Sequence, residues 1–358
     1  MLSDLALPGT PLYLQTLALA RMFAEHCQAS AGLDGERKSD EAPVAWLLLD
    51  SWQDNPVGEA FALDFAEHAE ARVAVPDPFF EGRAGSAPCL VPLPPAMQCA
   101  IPGSFAEAKA QQWLASHLAM AWLASRQRMV RQPLCGVLVS RAPGHAVAAH
   151  LLRLGFQMRG KEEPARLFRY HDPRVMQRVW KHLSAAQQSA WMGPIDNWWS
   201  LEQPWEPWDP DELIEGIPTA TAAPAWQHVS KPQAVRAAAG MLFSRLLDDE
   251  QWSWADASPV ASKVWQRLAA DEVDVALQPD GITMSSMVAQ GIGAGLAGAC
   301  LEAFVRESWL ARTGSVPLNW DQPGLRERLA GILQRLKSDP EASFAGLLHE
   351  SVLERNIP

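Results

Sequence analysis

The chain has 358 residues, 48% of them hydrophobic and 20% charged, with a formal net charge of −11 and a pI of about 5.3. That length and apolar content allow two domains with sizeable cores, and the acidity disfavours general binding to nucleic acid or to anionic membranes, both of which need basic patches. The five cysteines (Cys27, Cys89, Cys99, Cys135 and Cys300) show no CxxC spacing, so neither a disulfide framework nor a metal site is expected, and a reducing, cytoplasmic setting fits.

The opening residues, MLSDLALPGT, lack a basic stretch followed by an apolar core, so no signal peptide is expected. Leu14, Leu17, Ala18, Met22 and Phe23 recur at helical spacing and predict a helix over 11–29. VAWLLLD, 44–50, is an unbroken apolar run closing on Asp50, the pattern of a buried strand. Short strands are predicted at 71–78 and 88–93. A long helix follows from Ser104, where Ser104 and Glu107 form a capping box ahead of Trp113, Leu114, His117, Leu118 and Ala121. LCGVLVS, 134–140, reads as a strand; Pro143 opens a helix that Gly155 closes; and FQMRG with ARLFRYH reads as a hairpin around KEEP. Strands alternating with helices define an α/β lobe with a mixed sheet.

Residues 193–230 change character, becoming rich in Pro, Trp and acid, and read as an irregular linker or wrapping arm. Beyond them helices are predicted at 232–249, 259–270, 284–311, 323–337 and 341–355, with Ser258–Pro259 as one N-cap signal. The expected organisation is an α/β domain over 1–200, recognisable from about 44, a linker over 201–230, and an all-helical lobe over 231–358. Ile282 to Leu301 carries no charge, but its Thr, Ser, Gln and glycines favour a buried helix over a membrane span, so no stable membrane insertion is expected.

Two motifs invite a chemical reading. RAPGHA, 141–146, follows a strand and opens a helix, and it resembles the R-x-x-G-x-A loop with which acetyltransferases related to Gcn5 hold the pyrophosphate of acetyl-CoA. The helix that follows runs directly into LLRLGF, where that family inserts another strand and helix, and Pro143 removes one N–H donor. An acetyl-CoA enzyme of degenerate motif is therefore the alternative reading. GAGLAG, with Gly293, Gly295 and Gly298, spells GxGxxG but lacks a preceding strand. Gly291, Gly295 and Ala299 at four-residue spacing instead suggest a small-residue helix face that a second helix approaches closely. No catalytic set is legible, and no cofactor is expected. The chain holds 16 Trp and 2 Tyr; Trp198, Trp199, Trp205 and Trp208 crowd the Pro-rich arm, either pinning it to its own protein or offering interface anchors.

The stretch LFRYHDPRVMQRVW, 167–180, gathers Tyr, His, Asp and Arg. Local physics accounts for most of it: Leu167 to Tyr170 alternate as a strand, Asp172 is an N-cap, Pro173 sits at N1, and Val175, Met176 and Val179 form a buried stripe. Arg169 and Arg174 are open, as internal partners of acids or as client-holding groups. The combination Phe168, Arg169, Tyr170, Asp172, Pro173, Arg174, then Gly193, Pro194, Ile195 and Trp198, resembles the signature of a bacterial family first catalogued as a domain of unknown function, whose members are effector chaperones or adaptors of the type VI secretion system. WLLLD, APCLVPL and the helix carrying His150 and Leu151 are similar to that family's upstream parts, and the likeness covers roughly residues 44 to 200. The resemblance implies a non-catalytic protein that binds the N-terminal region of one cognate toxin and helps load it on the spike protein. Trp199, Trp205, Trp208, Gly291, Gly295 and Ala299 are the candidate client-binding residues, expected to line a cleft between the lobes.

Overall fold

The computed structural model describes residues 8–32, 43–98, 103–127, 132–159, 164–202, 224–232, 243–271, 279, 281–314, 316–339 and 342–353. The chain divides into two compact units, Met1–Pro204 with Pro210–Trp252 and Trp205–Asp209 with Ser253–Pro358.

The first unit is built on strands β1 (Val44–Leu49), β2 (Val73–Ala74), β3 (Cys89–Pro92), β4 (Leu134–Ser140), β5 (Phe156–Gln157), β6 (Arg166–Leu167), β7 (Ile195–Leu201) and β8 (Trp226–Ser230). Six of them form one sheet in the order β2-β3-β1-β4-β7-β8, and β5 and β6 form a separate hairpin. The α/β lobe is as the sequence predicts, and within its sheet every pair of named strands runs antiparallel. Alternation of strand and helix does not fix strand direction, because a connecting helix can return the chain either way.

Helices α1 (Pro11–Gly32), α2 (Pro56–Asp64), α3 (Ala66–Glu70), α4 (Pro95–Gln98), α5 (Phe105–Gln127), α6 (Gly144–Gly155), α7 (Pro173–Val179) and α8 (Ala185–Met192) complete this unit. On one sheet face Leu47, Leu49, Val91, Val137 and Trp199 pack with Phe23 of α1, Phe61 of α2 and Leu118 of α5. On the other face Trp46, Leu48, Leu90, Leu138 and Trp198 are also buried. Both faces being covered is why β1 and β4 read as unbroken apolar runs. Glycines set two of the contacts. A Cβ on Gly144 at the start of α6 would lie 2.4 Å from the Trp46 ring, and one on Gly136 would lie 2.6 Å from Trp198 Nε1 and 2.7 Å from the Trp199 carbonyl.

The second unit is helical: most of α9 (Asp249–Asp271), then α10 (Gly281–Gly293), α11 (Gly298–Leu310), α12 (Pro323–Ser338) and α13 (Phe344–Leu353). Its core includes Trp265, Leu268, Met284, Met287, Phe304, Val305, Trp320 and Leu348. Trp320 Nε1 donates to Ser308 Oγ at 2.7 Å, and that hydroxyl donates to the Phe304 carbonyl at 2.6 Å. Among the described residues no helix is long and apolar enough to cross a membrane.

Several boundaries differ from the sequence reading. Residues 193–230 are not simply a linker: they supply β7 and β8, because Ile195, Trp198, Trp199, Leu201 and Val229 are buried, a signal that the surrounding Pro and acid residues obscure. The helix predicted to start at Pro259 starts at Asp249 and runs through the proline. An interior proline costs about 3 kcal/mol, which burial of Val260, Ala261, Val264, Trp265 and Leu268 outweighs. The single helix predicted over 284–311 is two helices with a turn between them, at Gly295 and Gly298, whose φ values are +78° and +54°. Most of the helix predicted over 232–249 lies outside the described residues.

Replacing Gly136 by Ala is expected to destabilise the first unit by about 2 kcal/mol or more, because the backbone carbonyl of Trp199 cannot move aside. Gly331→Ala, within α12 and with open space around it, is expected to stabilise by about 0.5–1 kcal/mol. Urea unfolding of both variants beside the wild type checks the pair.

Candidate functional site

The reactive-looking stretch around Asp172 is assembled where β6 hands over to α7. The strand read over Leu167–Tyr170 is only Arg166–Leu167; past it, Phe168 and Tyr170 are both 1% exposed and lie in the core. Asp172 caps α7: its Oδ1 accepts the Arg174 backbone N–H at 3.0 Å, with Pro173 at the first helical position. The Arg174 side chain folds back on the same carboxylate, with Nε donating to Oδ1 at 2.8 Å and Nη2 to Oδ2 at 2.6 Å. This is a bidentate pair, buried on both sides. Arg169 approaches Asp172 Oδ2 at 3.7 Å from a half-exposed position. Both arginines left open by the sequence are thus engaged with Asp172.

Charge states follow from this packing. Burial alone would raise the Asp172 carboxyl, but the Arg174 charge and hydrogen bonds, and then Arg169, bring it down from 3.8 to about 2. His171 is driven the other way for a base: burial, then the Arg169 charge, lowers it from 6.5 to about 3, so it is neutral at pH 7. Burial lowers Arg178 to about 9, which leaves it cationic at neutral pH. Burial also pushes the Tyr170 phenol and the Cys135 thiol well above their ordinary values. A protonated phenol, a protonated thiol and a neutral imidazole, all enclosed, give the motif no accessible nucleophile.

The later motif residues are held by the strand and helix before them. Ser140, at the end of β4, donates to the Pro194 carbonyl at 2.7 Å and accepts the Ala142 N–H at 3.0 Å. His150 of α6 donates from Nε2 to the Trp191 carbonyl at 2.8 Å. Its ring fills the space beside Gly193, where a Cβ would sit 2.1 Å from Cε1, and Gly193 has φ +52°. Glycine is therefore required twice there, by conformation and by space. Ile195 and Trp198 are buried in β7, and Phe168 meets Trp191 edge to face at 5.1 Å.

The candidate client-binding residues are not brought together. Trp199 is 5% exposed, stacked on His228 with centroids 3.8 Å apart and edge-on to Phe23 and Trp226. Trp205 and Trp208 lie outside the described residues. Gly291, Gly295 and Ala299 do not share one helix face. Gly291, in the last turn of α10, packs against Leu301 and Phe304 of α11, with a Cβ only 2.3 Å from Leu301 Cδ1; Gly295 is in the turn; and Ala299 is exposed at the start of α11. The close approach that the small residues predict exists, but at Gly291 alone and within the helical unit. In the RAPGHA loop, Gly144 is buried under Trp46, so its missing side chain serves packing.

Sequence reasoning missed two groupings. His26 and His228, with ring centroids 5.1 Å apart, flank Trp199, and His228 Nε2 lies 3.0 Å from Asn197 Oδ1. Pro78, Leu152, Arg153, Phe156, Phe243 and Ser244 line an open depression of about 500 Å³. Each combines residues scattered through the chain, so no local spacing marks it. Among the described residues no cluster of three or more His, Cys, Asp or Glu could hold a metal ion.

Residues 45–190 match the family model described as a domain of unknown function, DUF4123. That span runs from β1 into α8 and contains the whole Phe168-to-Arg174 motif. No curated protein and no solved structure matches the chain.

Asp172→Asn keeps a cap but leaves Arg174 buried without its counter-charge, and it is expected to destabilise the domain by about 3–5 kcal/mol in urea unfolding. Stability is also expected to fall with acid in two steps. The folded value of His171 is depressed, so the stability it contributes above pH 6.5 is lost between 6.5 and about 3, as the unfolded chain takes the proton first. The contribution of Asp172 is present above 3.8 and is lost as pH falls toward about 2. In denaturant midpoints measured against pH, His171→Asn should reduce the first slope, to which His117, His150 and His228, also lowered by burial, contribute, and leave the second.

Proposed function

We propose that this protein is a cytoplasmic, non-catalytic adaptor of a bacterial type VI secretion system, which binds the N-terminal region of a cognate toxin and helps load it on the spike protein. The observation that carries this reading is the DUF4123 match over 45–190, coincident with the motif that resembles the effector-chaperone signature. The geometry of that motif supports it. Asp172, Arg174, His171 and Tyr170 are buried and serve the fold, which is what a scaffold needs and an acid–base site cannot use. The net charge of −11 fits a protein whose partners are proteins rather than nucleic acid.

The toxin encoded beside this gene supplies the test. Its N-terminal fragment, co-expressed with this chain, is expected to co-purify as a complex and to gain soluble yield; a fragment equally soluble alone, with no complex on size exclusion, overturns the reading. Titration with acetyl-CoA is expected to give no saturable binding. Saturation in the micromolar range would favour the acetyltransferase-like enzyme instead.

A further inference from the structure

The depression between the 3₁₀ turn Pro78–Phe80, the end of α6 and the segment at Phe243 is a built feature of the first unit. Gln157 is fully buried: its Nε2 donates to the Arg153 carbonyl at 3.2 Å and its Oε1 accepts the Leu246 N–H at 2.9 Å, while Met158 N–H donates to the Ser244 carbonyl at 2.7 Å. These bonds fix the Phe243 segment beside β5. Strand alternation then turns Phe156 outward, since its neighbour Gln157 points in. Phe156 is 43% exposed and Phe79 37%, with ring centroids 5.8 Å apart. Phe243 is wedged between the His150 ring, at 5.4 Å, and the Arg153 guanidinium, 4.7 Å from its centroid. Backbone hydrogen bonds and ring contacts therefore hold two aromatic rings at the surface in a fixed relation, which lowers the ordering cost of binding.

The charge at this place is opposite to that of the chain. The lining holds one charged side chain, Arg153, and among the described residues no carboxylate pairs with it. In the neighbouring turn Arg83, exposed, donates to the Phe79 carbonyl at 3.2 Å, and Glu81 is exposed beside it; neither lines the depression. Asp77, behind the turn, is 7% exposed and caps the Phe79 N–H at 2.9 Å, so its carboxylate faces inward. An apolar floor whose one charged lining side chain is Arg153, in a chain of net charge −11, selects an apolar segment that carries a carboxylate.

We infer that this depression docks a short linear segment of a partner protein, in which aliphatic or aromatic side chains cover Leu152, Phe156 and Phe243 and an adjacent Asp or Glu meets Arg153. This rests on the adaptor reading, in which the partner is the N-terminal region of the toxin. The depression is open and shallow, which fits a peptide lying across it better than an enclosed acyl chain.

The probe is a short fluorescein-labelled peptide alternating Leu or Phe with Asp or Glu, with a twin in which every acid is Lys. Fluorescence anisotropy is expected to show saturable binding of the acidic peptide to the full chain, weakened about tenfold or more by Leu152→Asp and by Phe156→Ser. Arg153→Glu, at an exposed position, is expected to reverse the preference toward the Lys twin. Equal binding of the two peptides, or wild-type affinity in these variants at unchanged circular dichroism and melting temperature, overturns the inference. So does laurate saturating the site with no peptide bound, or a dimer on sedimentation that Leu152→Asp dissolves. The toxin fragment separates the two levels. If it co-purifies equally with wild type and all three variants, the docking inference fails and the adaptor reading stands. If it fails to bind wild type while the acidic peptide binds, the adaptor reading fails and the docking site stands.

Discussion

The buried pair of Asp172 and Arg174 is the constraint around which the first unit is organised. Removing two charges from water costs several kcal/mol each, and mutual attraction offsets this only when geometry and hydrogen bonds are nearly complete. Here they are: a bidentate contact, a capped helix N-terminus on the same carboxylate, and Arg169 reaching it from the surface. Such a pair adds little net stability over apolar residues of equal volume, but it tolerates one arrangement of its neighbours. Phe168, Tyr170 and Met176, close to it in sequence, are each 1% exposed.

The same logic extends along the chain through a chain of dependence. The turn at Gly193 exists because His150 occupies the place of a side chain and its ring nitrogen takes the Trp191 carbonyl that ends α8. Ser140 then takes the Pro194 carbonyl, which sets where β7 begins beside β4. β7 brings Trp198 across Gly136, and that contact closes the sheet face on which α6 sits by way of Trp46 and Gly144. A motif that reads as reactive chemistry is, by this route, the set of residues that lets a central strand enter after a pair of short helices.

Much of this architecture is legible in the sequence where one local rule decides. The apolar runs of β1 and β4 and the cap at Asp172 each follow from a few adjacent residues. What fails does so where tertiary burial outweighs a local signal. Pro259 reads as a helix start and lies inside a helix; the small residues from Gly291 to Ala299 read as a helix face and make a turn. β7 and β8 are hidden by the tryptophans and prolines that flank them, since a Trp-rich arm and a Trp-rich core strand have the same composition. Trp199 shows the difficulty: a candidate interface anchor by type, it is a core residue by position.

That outcome relocates the question of recognition. Arg174 is buried against Asp172, Arg169 is held to the same carboxylate from a half-exposed position, and Trp199 is enclosed in the core. Under the adaptor proposal, recognition by this unit would use side chains that the fold holds outward. Phe79 and Phe156 meet that description, because each leaves aromatic area in water while its neighbour, Asp77 or Gln157, points in and completes the hydrogen bonds that fix the backbone. In β5 an inward Gln157 and an outward Phe156 are the reverse of ordinary strand patterning.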